Sequence, residues 1–183
     1  MNFNEHSEFR DLHAFLSPSQ YHWLNYDTDK LKDRYSSFRA KERGTELHAL
    51  AEQCIRLGIK LARTKATLNM FVNDAVGYKM TPEQPLVYSR NCFGTADAIS
   101  FRKGVLRVHD LKTGTVPANM AQLRIYAALF CLEYGYNPDD VEFSLRIYQS
   151  NDILEELTDP EEIKSVMQTI VHHDQVLEEL QQQ

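Results

Sequence analysis

Two aspartates and a lysine, Asp97, Asp110 and Lys112, lie in the segment CFGTADAISFRKGVLRVHDLKTG at a spacing that suits metal chemistry. The dipeptide Lys103–Gly104 fits the two-residue turn of a tight β-hairpin, which would place Asp97 directly opposite Asp110. Side chains alternate along a strand, so both carboxylates and Lys112 would share one face. Facing carboxylates repel each other, and Lys112 together with a divalent cation would offset that repulsion. Carboxylate oxygens at this separation match Mg²⁺ or Mn²⁺.

A second interpretation of the hairpin is that both acids are simply solvated at the edge of a sheet. A loop one residue longer or shorter would turn one strand over and separate the carboxylates. In the predicted register Phe101 faces Leu106 and Ile99 faces Val108, which gives an apolar face that ends in the two acids. The hairpin alone leaves both interpretations open.

Helical periodicity flanks the N-terminal side of this hairpin. Thr45, after Gly44, is the expected N-cap of a helix whose apolar positions repeat at helical spacing: Leu47, Leu50, Cys54, Leu57 and Leu61. The stretch LSPSQYHWLNYD, with its Ser-Pro-Ser start, fits a short capped helix. Residues 72–91 combine turn signals with short apolar runs, which predicts strand and loop.

The C-terminal side of the hairpin predicts a helix, a strand and a second helix. Residues 117–135 are rich in Ala and Leu and end on Gly135, which predicts a buried helix with a glycine cap. Residues 141–149 alternate apolar and polar side chains, as in a half-buried strand. Asp159, Pro160 and Glu162 form an N-terminal capping pattern for an amphipathic helix. This order indicates one α/β domain over residues 1–183.

Within that domain we expect three parts. They are an N-terminal helical segment (1–42), a core (43–149) and an acidic C-terminal helix (158–183). The chain is 43% hydrophobic and 25% charged, which suits a packed core. No apolar run approaches the roughly 18 residues of a membrane span, and the polar N-terminus resembles no targeting signal, so we expect a cytoplasmic protein with no membrane partner. Three scattered cysteines predict neither disulfides nor a thiolate zinc site.

The net charge of −6 is unevenly distributed along the chain. Residues 1–132 carry 18 Lys and Arg against 13 Asp and Glu, whereas residues 133–183 carry 2 against 13. An acidic, solvated C-terminal face would explain this distribution, and so would a basic surface for nucleic acid. Charge alone does not decide between them.

Four short motifs in order resemble those of the PD-(D/E)XK nuclease superfamily, in its RecB-like and lambda-exonuclease-like branch. They are GTELH (44–48), GTAD (94–97), HDLKTG (109–114) and QLRIY (122–126). This branch includes phage exonucleases and CRISPR-associated adaptation nucleases. The resemblance covers nearly half of the chain and implies a restriction-endonuclease-like core, with a central mixed β-sheet flanked by helices.

The resemblance implies a metal site and a catalytic lysine. Asp97, Asp110 and Lys112 would be the catalytic residues, with His48, Asp97, Asp110 and the Leu111 carbonyl as metal ligands. The cofactor would be Mg²⁺ or Mn²⁺, and the histidine favours Mn²⁺ because imidazole suits it better. Some relatives carry an iron-sulfur cluster on four cysteines, but three scattered cysteines do not support one here.

The remaining matched residues would contact DNA or lie next to the ligands. Gln122 and Tyr126 are one helical turn apart, so they share a helix face. They match a family motif that contacts DNA, and the resemblance implies that Thr113 also contacts DNA. Glu52 and Glu83 would lie beside the metal ligands.

The expected function is a metal-dependent deoxyribonuclease, specifically an exonuclease in recombination, repair or phage DNA processing. A catalytically silent, nuclease-like DNA-binding subunit of a larger complex is the alternative. The expected partner is DNA, with a recombinase, helicase, single-strand-binding protein or second copy of the chain as further candidates. The sequence has no Walker-type phosphate loop, so ATP-driven unwinding would come from a partner.

Overall fold

The computed structural model describes residues 14–181, except for the side chains of Ser19 and Gln20. The chain divides into two compact units, Met1–Thr45 and Glu46–Gln183. The polar stretch judged for targeting signals lies largely outside the described residues. No helix within the described range is both long and apolar enough to cross a membrane.

The first unit contains a short helix, as expected, and the start of a long one. A 3₁₀ helix covers Pro18–Asn25, and the indole nitrogen of Trp23 donates a hydrogen bond to the Ser17 carbonyl oxygen (2.9 Å). Helix α1 covers Thr28–Leu57 and continues into the second unit. Asp27 caps it, since its side chain accepts a hydrogen bond from the Lys30 amide (2.8 Å).

The expected start of this helix at Thr45 is wrong. Thr45 lies inside α1, and its hydroxyl donates to the Lys41 carbonyl oxygen one turn earlier (3.2 Å). Gly44 costs about 1 kcal/mol in a helix interior, which the strong helix formers around it outweigh. The buried face also differs from the leucine pattern, because Ala51, Cys54 and Ile55 are buried while Leu50 and Leu57 are exposed.

The second unit is a five-stranded mixed sheet flanked by helices, so the expected α/β class is confirmed. After α1, its elements are α2 (Thr67–Gly77), β1 (Thr81–Val87), β2 (Phe93–Arg102), β3 (Val105–Leu111), α3 (Ala121–Tyr134), a 3₁₀ turn (Pro138–Asp140), β4 (Glu142–Gln149), β5 (Asp152–Thr158) and α4 (Pro160–Gln181). The strands lie in chain order. Only β3 and β4 are parallel, and the chain passes between them through α3. The ends of β3 and β4 therefore lie at the same edge of the sheet.

Helices cover both faces of this sheet. On one face α3 and α4 pack against apolar side chains that include Leu106, Val108 and Leu145. On the other face, α2 and the second part of α1 pack against residues that include Leu111 and Tyr148. The edge strand β1 carries two prolines, Pro82 and Pro85.

The predicted hairpin forms with the predicted register. Phe101 pairs with Leu106 and Ile99 with Val108. The turn residues Lys103 and Gly104 both adopt the left-handed conformation, with φ of 52° and 77°. Such a turn matches the twist of the strands, and this is why its length fixes the pairing.

Two further local predictions require correction, and one strand was not predicted. Residues 67–77, of which 72–77 were expected as strand or loop, form helix α2, because Leu68, Phe71, Val72 and Ala75 repeat at helical spacing. Strand β4, expected to be half-buried, is covered on both faces, as a central parallel strand requires. Strand β5 was not predicted, because three of the seven residues in its sequence DILEELT are acidic.

The two C-terminal helices are confirmed. Helix α3 ends at Tyr134, and Gly135 caps it in the left-handed conformation (φ 70°). Helix α4 begins at Pro160, and the Asp159 carboxylate accepts a hydrogen bond from the Glu161 amide (2.9 Å). Glu162 pairs with Arg124 of α3 (3.1 Å).

Substituting Gly104 tests how far the turn fixes the hairpin. A Cβ on Gly104 would touch nothing within 4 Å, so the cost of Gly104→Ala would come from its positive φ alone. We expect the free energy of unfolding to fall by about 1 kcal/mol in urea denaturation. Gly77, at the end of α2, also has open space but no positive φ, so Gly77→Ala should leave stability equal or higher. Equal losses in both variants would contradict this account.

Candidate metal centre

His48, Glu83 and Asp97 form a cluster at one end of the sheet. Each offers one ligand atom, and these atoms lie within 4.8 Å of one another. His48 Nδ1 is 3.6 Å from Asp97 Oδ1, and the two side chains are 32% and 16% exposed. The cluster joins helix α1, strand β1 and strand β2, so tertiary folding alone brings these residues together.

Glu83 belongs to this cluster because of an unusual backbone conformation. Pro82 pairs with Ala98 and Gln84 with Ala96, which places Glu83 opposite Asp97 across β1 and β2. Glu83 has φ of 47°, a left-handed conformation that is uncommon for residues other than glycine. Strain of this kind costs of order 1–3 kcal/mol and often marks functional sites.

The alternation of β2 is interrupted at the same place. Ala96 belongs to the core beneath α3 and α4, whereas Ala98 belongs to the core beneath α1 and α2. In a regular strand, residues two apart point to the same face. The irregularity therefore surrounds Asp97, opposite the left-handed Glu83.

Asp97 is held in an environment that disfavours its ionised form. Burial and the nearby charge of Asp110 raise the pKa of Asp97 from 3.8 to about 6. A hydrogen bond from the Leu111 amide to Asp97 Oδ2 (2.7 Å) and the charge of His48 oppose this rise. Burial also raises the pKa of Glu83, with a smaller contribution from the Glu52 carboxylate. The cluster thus holds more negative charge than its protein surroundings neutralise.

Asp110 lies outside the three-residue cluster but close enough for its charge to act on Asp97. Ala98 pairs with His109, and Asp97 directly precedes Ala98 while Asp110 directly follows His109. Asp110 is only 2% exposed. Its Oδ1 accepts a hydrogen bond from Lys112 Nζ (3.1 Å), and its Oδ2 is 3.0 Å from the same nitrogen.

Lys112 is in turn oriented by helix α3. Its ammonium group donates to Gln122 Oε1 (2.8 Å), and the Gln122 amide donates to the Tyr126 hydroxyl oxygen (3.4 Å). The Tyr126 hydroxyl donates to the Thr95 carbonyl oxygen on β2 (2.6 Å). Gln122 and Tyr126 share a helix face, as predicted, and here they fix the position of the lysine. Their expected contact with DNA stays a prediction.

The donor set fits a hard divalent cation. Asp110 Oδ2 is buried and, within residues 14–181, meets no hydrogen-bond geometry, and its close neighbour is the Lys112 ammonium nitrogen at 3.0 Å. The carboxylates of Glu83 and Asp97 and the imidazole of His48 are close enough together to coordinate one metal ion. Carboxylate oxygens with one imidazole suit Mn²⁺, and also Mg²⁺. The cluster contains Glu83, which was expected only beside the ligands.

The other predicted site residues occupy different surroundings. The Leu111 amide bonds to Asp97, so the expected role of its carbonyl as a ligand stays a prediction. Glu52 accepts a hydrogen bond from Arg56 (2.8 Å) and is close enough to raise the pKa of Glu83. Thr113 is exposed in the loop after β3.

Gln149, at the end of β4, is a site residue that the sequence gave no reason to select. Its amide group donates to the carbonyl oxygens of Gly114 (2.7 Å) and Val116 (2.8 Å), and its Oε1 accepts from the Ala118 amide (3.2 Å). Three hydrogen bonds from one side chain thereby hold the loop that follows Lys112. Only the parallel pairing of β3 with β4 brings Gln149 there.

Two other features, a cavity and a buried histidine, do not form a cluster of acidic and histidine ligands. A cavity of about 510 Å³ between α3 and α4 is lined by polar and apolar side chains in equal number, and its polar residues include His173 and Asp174. The buried His109 bonds to Tyr148 (3.2 Å), and burial lowers its pKa to about 3, so it stays neutral. We therefore take the end of the sheet with the acidic cluster as the candidate site.

Comparisons of the chain with known protein families, with curated proteins and with solved structures find no match. The function proposed below therefore depends on the residues and their geometry.

Replacing Asp97 with Asn should stabilise the metal-free protein in a pH-dependent way. Because the pKa of Asp97 is higher in the folded protein than in the unfolded chain, ionising Asp97 lowers the free energy of unfolding. This penalty is absent below about pH 4, grows between about pH 4 and pH 6, and amounts to about 3 kcal/mol at most. In urea denaturation with EDTA, we expect Asp97→Asn to gain about 1–3 kcal/mol at pH 8 and little at pH 4. The Asn oxygen can still accept the Leu111 hydrogen bond. A loss of stability at both pH values would contradict the proposed repulsion.

Proposed function

We propose that this protein is a divalent-metal-dependent deoxyribonuclease with a restriction-endonuclease-like core, of the PD-(D/E)XK type. One observation carries the proposal: an acidic and histidine cluster adjoins a buried aspartate that pairs with an oriented lysine. Nucleases of this chemistry need the two parts side by side, because one part holds the metal and the other assists the attack on phosphorus. Solvated surface acids would need neither burial nor an oriented lysine.

The topology supports the same proposal. Helices α1 and α2 precede three antiparallel strands, and α3 leads to a strand parallel to the third. The resemblance implies a central mixed β-sheet flanked by helices, and this order of elements is consistent with it. The motif residues His48, Asp97, Asp110 and Gln122 lie on α1, β2, β3 and α3. Asp97 is 3.6 Å from His48, and Lys112, directly after β3, contacts both Asp110 and Gln122.

His48, Glu83 and Asp97 would hold the metal, with Asp110 beside them. A bound Mg²⁺ or Mn²⁺ would supply Lewis-acid chemistry, acidifying a water molecule and neutralising charge on a phosphate oxygen. Phosphate does not approach three carboxylates readily, and the cation removes that barrier. The histidine favours Mn²⁺ over Mg²⁺ in activity.

Lys112 would act on the phosphate or on the attacking water. Its ammonium group stabilises negative charge that develops on phosphorus in the transition state, and Gln122 keeps it in place. The water oxygen forms a bond to phosphorus while the bond from phosphorus to the 3′ oxygen breaks. The water proton passes to solvent, the departing 3′ oxygen takes up a proton from solvent to become a hydroxyl group, and the other product carries a 5′-phosphate.

We propose exonuclease action in recombination, repair or phage DNA processing, in the cytoplasm, with DNA as the substrate. A recombinase, helicase or single-strand-binding protein would be a functional partner. The alternative is a silent DNA-binding subunit of the same fold. The intact lysine and its hydrogen-bond partners favour the enzyme, because DNA binding alone does not require an ammonium group paired with a buried carboxylate.

Lys112→Ala should abolish metal-dependent cleavage while the protein remains folded. Labelled linear and circular DNA would be incubated with Mn²⁺, Mg²⁺ or EDTA, and products resolved on gels. We expect a loss of at least 100-fold with Lys112→Ala, the scale of losing one transition-state contact. The fold is checked by circular dichroism.

Lys164→Ala is the matched control for this experiment. Lys164 also pairs with carboxylates, those of Asp139 and Glu161, but lies on α4 away from the cluster. This variant should cleave as the wild type does. Absence of any metal-dependent cleavage by the wild type would favour the silent subunit, and unchanged cleavage by Lys112→Ala would exclude the lysine from the mechanism.

Glu83→Gln should weaken metal binding, which tests the ligand set that the structure indicates. Calorimetric titration with Mn²⁺ in the absence of DNA should show at least a tenfold loss of affinity, since a ligand matters at least as much as its supporting contacts. Glu178→Gln, on the exposed part of α4, removes the same charge and should have no effect. If Glu83→Gln binds Mn²⁺ normally while Asp110→Asn does not, Asp110 completes the site instead.

A further inference from the structure

Side-chain hydrogen bonds hold the loop between α1 and α2, which carries three cations that form no ion pair with the acids of residues 14–181. Lys60, Arg63 and Lys65 are exposed, and within residues 14–181 none makes an ion pair or side-chain hydrogen bond. Of the ten other Lys and Arg residues in the described part of the second unit, five pair with carboxylates: Arg56, Lys112, Arg124, Arg146 and Lys164. This loop thus concentrates free positive charge.

Hydrogen bonds fix the backbone of this loop, hereafter the basic loop (residues 58–66). Asn73 of α2 holds Leu61 twice, accepting from its amide (2.8 Å) and donating to its carbonyl oxygen (3.1 Å). Asn69 donates to the Ala62 carbonyl oxygen (3.0 Å) and to the Thr64 hydroxyl (2.9 Å). Four side-chain hydrogen bonds are more than a solvated connection requires. They would preorganise the cations for a ligand and lower the entropic cost of binding.

The basic loop lies at the same end of the sheet as the metal cluster. Thr67, directly after the loop, bonds to Asn151 in the turn between β4 and β5, with its amide 3.2 Å from Asn151 Oδ1. That turn follows β4, which runs parallel to β3, so it lies at the end where Asp110 and Lys112 are found. The helix that leads into the loop also carries His48.

We infer that the basic loop is a second DNA-binding surface, at which Lys60, Arg63 and Lys65 contact backbone phosphates away from the bond being cleaved. Long, flexible cationic side chains on a fixed backbone suit a polyanion whose charges repeat along a strand. The inference rests on the proposed function, since it takes DNA as the ligand. It adds a surface that none of the four motifs includes.

The loop also accounts for DNA binding by a protein with a net charge of −6. Cations that are already paired with carboxylates gain little from a phosphate, because they must give up one anion to take another. Free cations instead release the counterions of DNA, and binding then weakens as salt rises. The unpaired cations of the basic loop therefore contribute more to affinity than their number suggests.

The double variant Arg63→Ala/Lys65→Ala tests this surface. Binding of fluorescein-labelled single-stranded and duplex DNA would be measured by fluorescence anisotropy across a salt series. EDTA would be present throughout to prevent metal-dependent cleavage. We expect affinity at 0.1 M salt to fall by at least about tenfold and the slope of log K against log salt to fall by about 2. Single-turnover cleavage at saturating DNA with Mn²⁺ should keep its rate, because the metal cluster is untouched.

Arg102→Ala/Lys103→Asn is the matched control. It removes the same two charges at the hairpin turn, at the opposite end of the sheet, and Asn tolerates the positive φ of residue 103. A loss in the loop variant that the control does not share supports the inference. Equal losses, which would indicate net charge alone, or no loss in the loop variant would overturn it. If the wild type binds DNA through the loop but cleaves none, the nuclease proposal fails and the inference stands.

Discussion

Repulsion among partly buried carboxylates is the constraint on which this structure depends. Glu83, Asp97 and Asp110 converge at one end of the sheet, where burial raises the pKa of Glu83 and Asp97. A fold gains nothing in stability from such an arrangement, since uncompensated charge in a low dielectric is costly. The protein compensates in part, with the Lys112 ammonium group, the His48 ring and the Leu111 amide. The remaining negative charge is what a divalent cation would neutralise.

The sheet topology explains why the repelling carboxylates and the groups that partly neutralise them lie at the same end of the sheet. The hairpin between β2 and β3 brings the two aspartates to adjacent positions, and the parallel step from β3 to β4 requires a crossover through α3. That crossover delivers Gln122 to Lys112 and Tyr126 to the β2 backbone. Gln149, at the end of β4, then holds the loop that follows the lysine. Each supporting contact thus comes from an element that the fold must contain for other reasons.

The sequence predicted the parts of the site that depend on local geometry. The Lys103–Gly104 turn fixed the register of β2 and β3, because a two-residue turn permits one pairing, and helical spacing placed Gln122 and Tyr126 on one face. The role of Glu83 was not predictable in this way, since its left-handed backbone arises from tertiary packing and has no marker such as glycine. Gly44 misled the assignment of the start of α1, because the surrounding residues outweigh a single glycine. Gln149 acts across a parallel strand pair, which no local pattern encodes.

The prolines of β1 affect how readily the protein would aggregate at high concentration. An exposed strand edge offers unpaired amide and carbonyl groups, which invite a strand from another molecule and can begin aggregation. At the β1 edge, Pro82 and Pro85 have no amide hydrogen to offer, and Glu83 between them interrupts the extended conformation. Intermolecular strand addition is thus discouraged beside the acidic cluster. Any lateral extension of the sheet would be directed to its far side, at β5.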